Sequence, residues 1–489
     1  MTHFSPRCLA VVLTILSALA TPTSAQTTLR VPKDFATIQQ AVDAAEDGDT
    51  IRISKGTYPE YVQIIGLSDL TVIGLGRPVI DGGTVFLGGE VTSGGLLLLN
   101  CSNVLIKGLV ARNPVNINGF TVSGCTDVTL QLCRVDRPQT DDGLQITSSE
   151  GVVVDRFRMQ GFKDTFDIEA VAAAGGISIL SSKYVTVTRA RIQDTFNDGI
   201  HVDSSTDVVL ERCILKRIDN DGIHASSGEL ETSVLVDRCK LSDLNDDGIQ
   251  TTGSMTDITV TKTSIKRADN NGVDASGRAA TLDRVTVREA EDNAFRFHPE
   301  FSPPAFSADD VVPHGPIRMT NCRASLVGDN GTDLSADGAV IENLRLAKLE
   351  GSGVQVGDSE GVEITKVRIS KVENWGLEFT NVTNSTFTDF RMSKPRDGVE
   401  LSSSCAGNVI QGFKIRAPEG FGFEIRGPNN LFQDNTVTKA EEIGFFVNST
   451  GNNFVGNKAV KSGELDVEDI AGKGLNTYTE NVFGTTQGL

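Results

Sequence analysis

Acidic residues and histidines recur at fixed positions in a series of short repeats. Asp198, Asp221 and Asp247 each stand directly before a glycine, and His201 and His224 each stand two residues after it. Paired carboxylic acids cleave glycosidic bonds, one as the proton donor and the other as the base or nucleophile. An imidazole removes or delivers a proton near neutral pH. These five side chains are therefore candidate catalytic groups.

Two further candidates lie later in the same series. Arg296 occupies the position of the two histidines, and His298 opens an insertion rich in proline and acidic residues, residues 298–316. In a uronate lyase or epimerase, a base such as His201, His224 or His298 removes the proton beside the sugar carboxylate. Arg296, or Ca²⁺ held by the aspartates, would neutralise that carboxylate; no other cofactor is indicated. Because loops often carry function, we expect the active site on the central turns, under this insertion.

The same turns also fit interpretations without catalysis. Asp, Asn and Gly are ordinary turn residues, and side-chain amides form ladders in stacked β structure. Later repeats keep the turn but carry residues such as Gln355 and Glu378 in place of the histidines, so the polar chemistry is concentrated in the central turns. The alternatives are a non-catalytic surface or scaffold protein and a metal-binding protein that uses the His/Asp face.

The repeats that carry these residues define the fold. A turn followed by a short alternating strand recurs in segments such as FNDGIHVD, DNDGIHAS and NDDGIQTT. Within two series the glycines are 22 to 26 residues apart, which matches three short strands and three turns per coil. The predicted fold is all-β, a right-handed parallel β-helix solenoid, with these glycines stacked at one corner. The glycines are Gly199, Gly222, Gly248 and Gly272, then Gly353, Gly376, Gly398, Gly422 and Gly444.

An N-terminal helix is predicted to cap the first coil. Apolar residues recur at helical spacing between Phe35 and Ala45, with Asp34 placed to cap the start and Gly48 the end. An open solenoid end exposes a hydrophobic core and an unpaired strand edge, which such a helix would cover. Residues 26–489 are expected to form a single β-helix domain.

The first 25 residues are typical of an export signal. Arg7 precedes an apolar run from Leu9 to Leu19, and small residues lead to a predicted cleavage site after Ala25. No later apolar segment has the length of a membrane span. We expect a secreted protein, extracellular or periplasmic.

The net charge of −19 bears on the choice of partner. It disfavours nucleic acid and anionic membrane surfaces as general partners. An anionic polysaccharide would need a local basic patch or a bound cation. The expected partner is a polysaccharide, and the expected state is a monomer.

Cysteines recur at one inward-facing position of the repeat, where buried free thiols are expected. They are Cys133, Cys213, Cys239 and Cys322. Cys101 and Cys125 lie on neighbouring turns, and adjacent strands are about 4.8 Å apart, within the Cα range of a disulfide. These two are the predicted disulfide partners.

The opening stretch TLRVPKDFATIQQAVDAAEDGDTIRISKGTYPEYVQI resembles the entry segment of the pectin-lyase-like β-helix superfamily. That superfamily contains lyases, hydrolases, esterases, epimerases, metal-delivery proteins and non-catalytic binders.

The segment NDGIHVDSSTDVVLERC…IDNDGIHA is similar to the polygalacturonase pattern. Asp198 matches its first acid and Asp221 one member of its acid pair, while Asn220 stands at the other. FRFHPE shares the residue types of the alginate epimerase motif in a different order, so no role is transferred. The resemblance implies a carbohydrate-active protein: a polysaccharide lyase, epimerase or glycoside hydrolase acting on an extended glycan, such as one containing uronate.

Overall fold

We describe the fold from a computed structural model of the 489-residue chain. The structure describes residues 26–82, 84–87, 90–139, 141–161, 174–228, 230–298 and 316–489. The predicted export signal and most of the predicted insertion, residues 299–315, lie outside the described residues.

The chain winds into coils of three short strands. One coil contains Ile200–Asp203, Val208–Glu211 and Ile214–Ile218, and each strand pairs in parallel with its equivalent in the next coil. This pairing builds three long parallel sheets, in which these strands belong to sheets C, A and B respectively. The predicted right-handed parallel β-helix is confirmed.

The strands of each sheet follow one another at the coil spacing of about 4.8 Å. Sheet A has 19 strands: Thr28–Val31, Thr50–Ile53, Thr71–Gly74, Ser102–Lys107, Thr126–Gln131, Val153–Asp155, Thr186–Thr188, Val208–Glu211, Thr232–Asp237, Thr256–Thr261, Ala279–Asp283, Arg318–Thr320, Val340–Glu342, Glu363–Thr365, Thr386–Thr388, Val409–Gln411, Leu431–Gln433, Asn453–Val455 and Thr477–Thr479. Sheet B contains Thr57–Tyr58, Val79–Asp81, Val110–Arg112, Arg134–Asp136, Arg158–Gln160, Arg191–Thr195, Ile214–Ile218, Lys240–Leu244, Ser264–Ala268, Thr286–Ala290, Arg323–Val327, Arg345–Leu349, Arg368–Val372, Arg391–Ser393, Lys414–Arg416, Thr436–Thr438, Lys458–Val460 and Val482–Phe483. Sheet C contains Val62–Ile65, Leu96–Leu99, Phe120–Ser123, Leu144–Thr147, Ile177–Leu180, Ile200–Asp203, Ile223–Ser226, Ile249–Thr252, Val273–Ala275, Phe295–Phe297, Thr332–Leu334, Val354–Glu360, Trp375–Thr383, Asp397–Leu401, Phe423–Ile425, Phe445–Val447, Val467–Asp469 and Thr486–Gln487. A separate antiparallel hairpin pairs Thr84–Leu87 with Glu90–Ser93.

The core fills the interior of the solenoid because alternate side chains of each strand point inward. Ile200 and Val202 are fully buried, whereas His201 and Asp203 are only half-buried on the outer face. Towards the C-terminus the core becomes aromatic, and equivalent phenylalanines stack between coils, with ring centroids of one such pair 4.7 Å apart. The predicted division into inward and outward positions is confirmed.

Glycines stack at the corner between sheets B and C, as predicted. A Cβ atom at Gly248 would lie 2.3 Å from the carbonyl oxygen of Gly272, and one at Gly222 would lie 2.5 Å from that of Gly248. The second series behaves in the same way, from Gly353 onward. The corner therefore brings the backbones of successive coils too close together for a side chain.

The N-terminal helix is shorter than predicted. It spans Ile38–Asp43, and Oγ1 of Thr37, rather than Asp34, caps its start by accepting the N–H of Gln40. Ala44 is the C-cap, so Gly48 does not end the helix. The predicted bounds were wrong because Glu60, on the first coil, accepts the N–H groups of Ile38 and the following residue at 2.8 Å and holds the first turn.

The predicted disulfide is not formed. Cys101 and Cys125 are free, buried thiols. Sγ of Cys125 lies 3.3 Å from the backbone nitrogen of Cys101, whose N–H it accepts, and Oγ of Ser149 accepts the N–H of Cys125 at 3.1 Å. Both sulfurs therefore belong to a ladder of polar contacts. The thiols at the repeated inward position are free and buried, as predicted.

Among the described residues, every helix is too short or too polar to cross a lipid bilayer.

Substitution of Gly248 by Ala should lower the free energy of unfolding by about 1–3 kcal/mol, because the new methyl group would overpack the corner. Gly357→Ala is the matched control, since its nearest contact would be an ordinary one, 3.6 Å from Oγ of Ser335. Denaturant unfolding of both variants measures the difference. Equal stability of the two would show that the corner has room for a side chain.

Candidate active site

The aspartates of the central turns form one continuous hydrogen-bonded ladder. Oδ1 of Asp198 accepts the backbone N–H of Asp221 at 3.3 Å, and Oδ1 of Asp221 accepts that of Asp247 at 3.0 Å. Oδ1 of Asp247 in turn accepts the N–H of Asn271 at 2.7 Å. One oxygen of each carboxyl group is thus used to join successive coils.

Asparagine makes the same bond in the following coils. Oδ1 of Asn271 accepts the N–H of Asn293 at 3.2 Å, and Oδ1 of Asn293 accepts that of Asn330 at 3.3 Å. Oδ1 of Asn330 accepts the N–H of Ser352 at 2.7 Å. The ladder therefore requires an acceptor oxygen at this position but not a carboxyl group.

The two histidines lie beside this ladder on the outer face of sheet C. His201 and His224 are directly paired on adjacent strands, and their rings stack with centroids 5.1 Å apart. Nε2 of His201 lies 3.3 Å from Oγ of Ser226, and Nε2 of His224 lies 3.1 Å from Oγ1 of Thr252. Each contact joins a histidine ring to a hydroxyl group on the next strand of sheet C and so fixes the orientation of the ring.

Nδ1 of His224 faces two carboxyl groups. It lies 3.5 Å from Oδ2 of Asp198 and 3.9 Å from Oδ2 of Asp221. The side chains of the two aspartates are 7% and 3% exposed, and that of His224 is 22% exposed. His224 is therefore the member of the group that a molecule in solvent meets first.

Burial raises the pKa of two carboxyl groups in this cluster. Loss of water raises the pKa of Asp221 to about 8, and the nearby carboxyl groups of Asp198 and Asp247 add to the effect. Burial also raises the pKa of Asp247 to about 6. Asp221 consequently keeps its proton at neutral pH, when an exposed aspartate is ionised.

The two imidazoles differ in the same environment. Burial, followed by the neighbouring His224, lowers the pKa of His201. Burial alone would also lower the pKa of His224, but its contact with the carboxylate of Asp198 outweighs this effect and raises the pKa. The cluster thus favours a proton on His224 over one on His201.

Arg296 and His298 belong to a second cluster. Nε2 of His298 lies 2.9 Å from Oδ1 of Asp274, and Arg296 contacts Oδ2 of the same residue at 3.3 Å. Arg296 also lies 3.9 Å from Asp333, whose pKa is raised by burial although the arginine opposes this. Strand pairing puts Arg296 three strands beyond His224, about 14 Å away. The structure therefore does not bring all seven predicted site residues together.

Two members of the outer row were missing from the sequence prediction. Ser178 pairs with His201, and its hydroxyl donates to the carboxylate of Asp142. Asp333 pairs with Arg296. The glycine-strand segments GGISI and NGTDL are the sequence signals that locate them.

Among the described residues, two groups of side chains have the geometry to hold a metal ion. The carboxylates of Asp198 and Asp221 and a ring nitrogen of His224 offer ligand atoms within 4.8 Å of one another. Asp221, Asp246 and Asp247 offer a second set within the same limit, made only of oxygen. An all-oxygen set suits Ca²⁺, whereas a set with imidazole suits Zn²⁺ or Mn²⁺.

The chain belongs to the family described as right handed beta helix region, which matches residues 94–265 and 317–483, more than half of the chain. Comparison with curated protein sequences finds no match. Solved structures that this chain is similar to include the surface adhesin PfbA of Streptococcus pneumoniae, which is 13% identical, with a TM-score of 0.42, over 72% of this chain and 92% of that chain.

Two enzymes are similar to a comparable degree. The family 28 exopolygalacturonase of Yersinia enterocolitica is 13% identical, with a TM-score of 0.41, over 74% of this chain and 78% of its own. The A-module of the Azotobacter vinelandii mannuronan C-5 epimerase AlgE6 is 13% identical, with a TM-score of 0.40, over 86% of this chain and 92% of its own.

Substitution of Asp221 by Asn should change how stability depends on pH. Between about pH 4 and pH 8 the native carboxyl group keeps a proton that the unfolded chain has lost, so the free energy of unfolding falls as pH rises, by at most about 1.4 kcal/mol per pH unit. Asn keeps the ladder acceptor and has no proton to lose. The gain in stability of Asp221→Asn over the native chain should therefore grow from pH 5 to pH 8 in denaturant unfolding.

The exposed Asp207→Asn is the control for this measurement, and its difference from the native chain should not depend on pH. A constant difference for Asp221→Asn as well would mean that Asp221 is ionised throughout this range.

Proposed function

We propose that this protein is a polysaccharide-cleaving enzyme, a glycoside hydrolase in which Asp221 is the acid and Asp198 the carboxylate. One observation carries the proposal. The ladder at this corner needs only an acceptor oxygen, as Asn271 and Asn293 demonstrate, yet the central coils bury carboxyl groups there. Burying a carboxyl group costs free energy that the fold does not require, and such costs concentrate at catalytic sites.

The two carboxyl groups suit different roles. Asp221 holds a proton at neutral pH and can therefore protonate the leaving oxygen of a glycoside. Asp198 uses both oxygens as acceptors: Oδ1 accepts from Nδ2 of Asn220 at 2.6 Å as well as from the backbone, and Oδ2 faces His224. An ionised carboxylate only accepts hydrogen bonds, so these contacts of Asp198 suit the role of the carboxylate.

The carboxyl groups of Asp198 and Asp221 lie closer together than an inverting mechanism requires. Ligand oxygens of Asp198 and Asp221 lie within 4.8 Å of each other. Retaining enzymes place their carboxyl groups about 5–5.5 Å apart, whereas inverting enzymes separate them by about 6.5–9.5 Å to admit water. Asp198 would then attack the sugar carbon, and His224 would orient it.

A lyase or epimerase is less well supported. Such a reaction needs a cation beside the base to neutralise the sugar carboxylate. Arg296, the predicted cation, is about three strands from His224 and is already paired with Asp274 and Asp333. His298, paired with Asp274, would be the base if the reaction took place at this second cluster.

The sequence supports a setting for the proposed reaction. The predicted export signal favours an enzyme outside the cytoplasm, extracellular or periplasmic, and we expect a monomer of one β-helix domain. The straight outer face of sheet C, with its row of polar side chains, suits an extended glycan.

A panel of purified polysaccharides tests the proposal. Hydrolysis releases reducing ends without the ultraviolet absorbance of an unsaturated uronate, which a lyase would produce. Asp198→Asn and Asp221→Asn should each lower kcat by about 10²–10⁴-fold while the fold is kept, because each removes a proton-transfer or nucleophilic group. The rate of the native enzyme should fall as pH rises through about 8, where Asp221 loses its proton. Unchanged kcat in both variants would exclude these residues.

The double variant His201→Ala, His224→Ala should also lose activity, because it removes the imidazole that faces Asp198 and Asp221. Gln355→Ala, Glu378→Ala is the matched control, since these residues occupy the same outer row on later coils. Initial rates on the substrate found in the panel measure both variants. Full activity without the histidines, or equal loss in the control, would contradict the assignment.

A metal centre is the second candidate, favoured by the three converging ligand atoms of Asp198, Asp221 and His224. Metal binding would displace the proton of Asp221 and any proton held by His224. Calorimetric titration with Zn²⁺ and with Mn²⁺, in two buffers of different ionisation enthalpy, should then show at least one proton released per ion, and His224→Ala should abolish binding. Titration with Ca²⁺ tests the all-oxygen set of Asp221, Asp246 and Asp247 separately. Absence of binding heat for all three ions would leave the hydrolase without a metal.

A further inference from the structure

A row of unpaired arginines runs along sheet B, away from the candidate active site. Arg323, Arg345, Arg368 and Arg391 are the first residues of successive strands and are directly paired with one another. All four are exposed, and none forms an ion pair among the residues that the structure describes. Lys414 continues the row. The five cations span about 19 Å at the strand spacing.

The fold does not require these cations. The same strand position holds Ser264 and Thr286 in the preceding coils and Thr436 in a later one. Several arginines elsewhere in the chain are neutralised, as Arg217 is by the buried Asp194. Stacking like charges at the strand spacing is unfavourable, so the row costs stability in a chain whose net charge is −19.

Small side chains form a floor next to the arginines. Two residues after each arginine stand Ser325, Ala347, Ser370 and Ser393. Together with the arginine row they line a groove of about 520 Å³. The groove is open along the solenoid axis because no large side chain interrupts the floor from one coil to the next.

A second basic row borders this floor. Lys348, Lys371 and Lys394 each follow a floor residue, are exposed and adopt a left-handed backbone conformation. None of them has an ion pair in the described part of the chain. Glu350 and Glu373 lie two residues further on, beyond the lysines. We call the floor and its two bordering basic rows the basic trough.

We infer that the basic trough binds a linear polyuronate, an acidic polysaccharide with one carboxylate on every sugar, along the solenoid axis. The carboxylates of an extended polyuronate recur at about the length of one sugar, which is comparable to the strand spacing. Guanidinium groups bind carboxylates through paired hydrogen bonds. The acidic residues beyond the lysines would repel the chain from the next corner and keep it in the trough.

The composition of the trough favours this ligand over nucleic acid. Surfaces that bind single strands combine positive charge with aromatic side chains on which bases stack. The floor residues are serine and alanine, and no aromatic side chain lines the groove in the described residues. Hydroxyl groups such as that of Ser370 suit the hydroxyls of a sugar.

Binding of an oligogalacturonate long enough to span five coils tests this inference by calorimetry. The full chain carrying Asp221→Asn is used throughout, so that cleavage at the proposed active site cannot interfere. The inference does not rest on that site: failure of the enzyme assays would leave this result unaffected. Added salt should weaken binding by the parent chain, because exposed charges are screened.

The variant Arg345→Gln, Arg368→Gln, Arg391→Gln should raise Kd about tenfold or more. The matched control removes the same charge from three exposed arginines that are paired with neighbouring acids, Arg189→Gln, Arg212→Gln, Arg238→Gln. Its Kd should stay within about twofold of the parent value. Thermal unfolding confirms that both variants are folded.

Three outcomes would overturn the inference. They are an unchanged Kd in the triple trough variant, an equal loss in the control, and tighter binding of heparin or of a single-stranded oligothymidylate than of the oligogalacturonate. The last would assign the trough to a sulfated polysaccharide or to nucleic acid.

Discussion

The bond between a turn side chain and the backbone of the next coil is the interaction on which the solenoid depends. A buried backbone N–H at a corner must find an acceptor, and in this protein the acceptor comes from the neighbouring coil. Asp198, Asp221 and Asn271 provide it at the corner between sheets B and C. Ser182 provides it for Ser149 at another corner. These bonds set the register in which every other residue is stacked.

Register converts a repeated residue into a row of identical groups one strand spacing apart. For apolar residues the row is a core, and the stacked phenylalanines near the C-terminus extend it. For charged residues the row is unfavourable, because like charges at this distance repel and burial removes their water. The raised pKa of Asp221 is the direct result. Charged rows that the backbone does not require therefore indicate function.

The two charged rows lie in different places and have opposite signs. The carboxyl and imidazole groups lie on sheet C and its corner in the central coils, whereas the arginines of the basic trough lie on sheet B in later coils. The net charge of −19 gives no indication of the basic trough. An acidic chain can therefore present an anion-binding surface, provided that its cations are gathered into register and left unpaired.

The sequence by itself determined the coil period, the glycine corner and the outward position of His201, because each of these features follows from residues within a single repeat. Only the tertiary structure decided which rows meet. It leaves Cys101 and Cys125 as free thiols, with Sγ of Cys125 accepting a backbone N–H. It places Arg296 three strands from the histidine pair, and it buries Asp221 deeply enough to keep a proton. Coil pairing and burial depend on residues more than 20 positions away, which a local pattern does not contain.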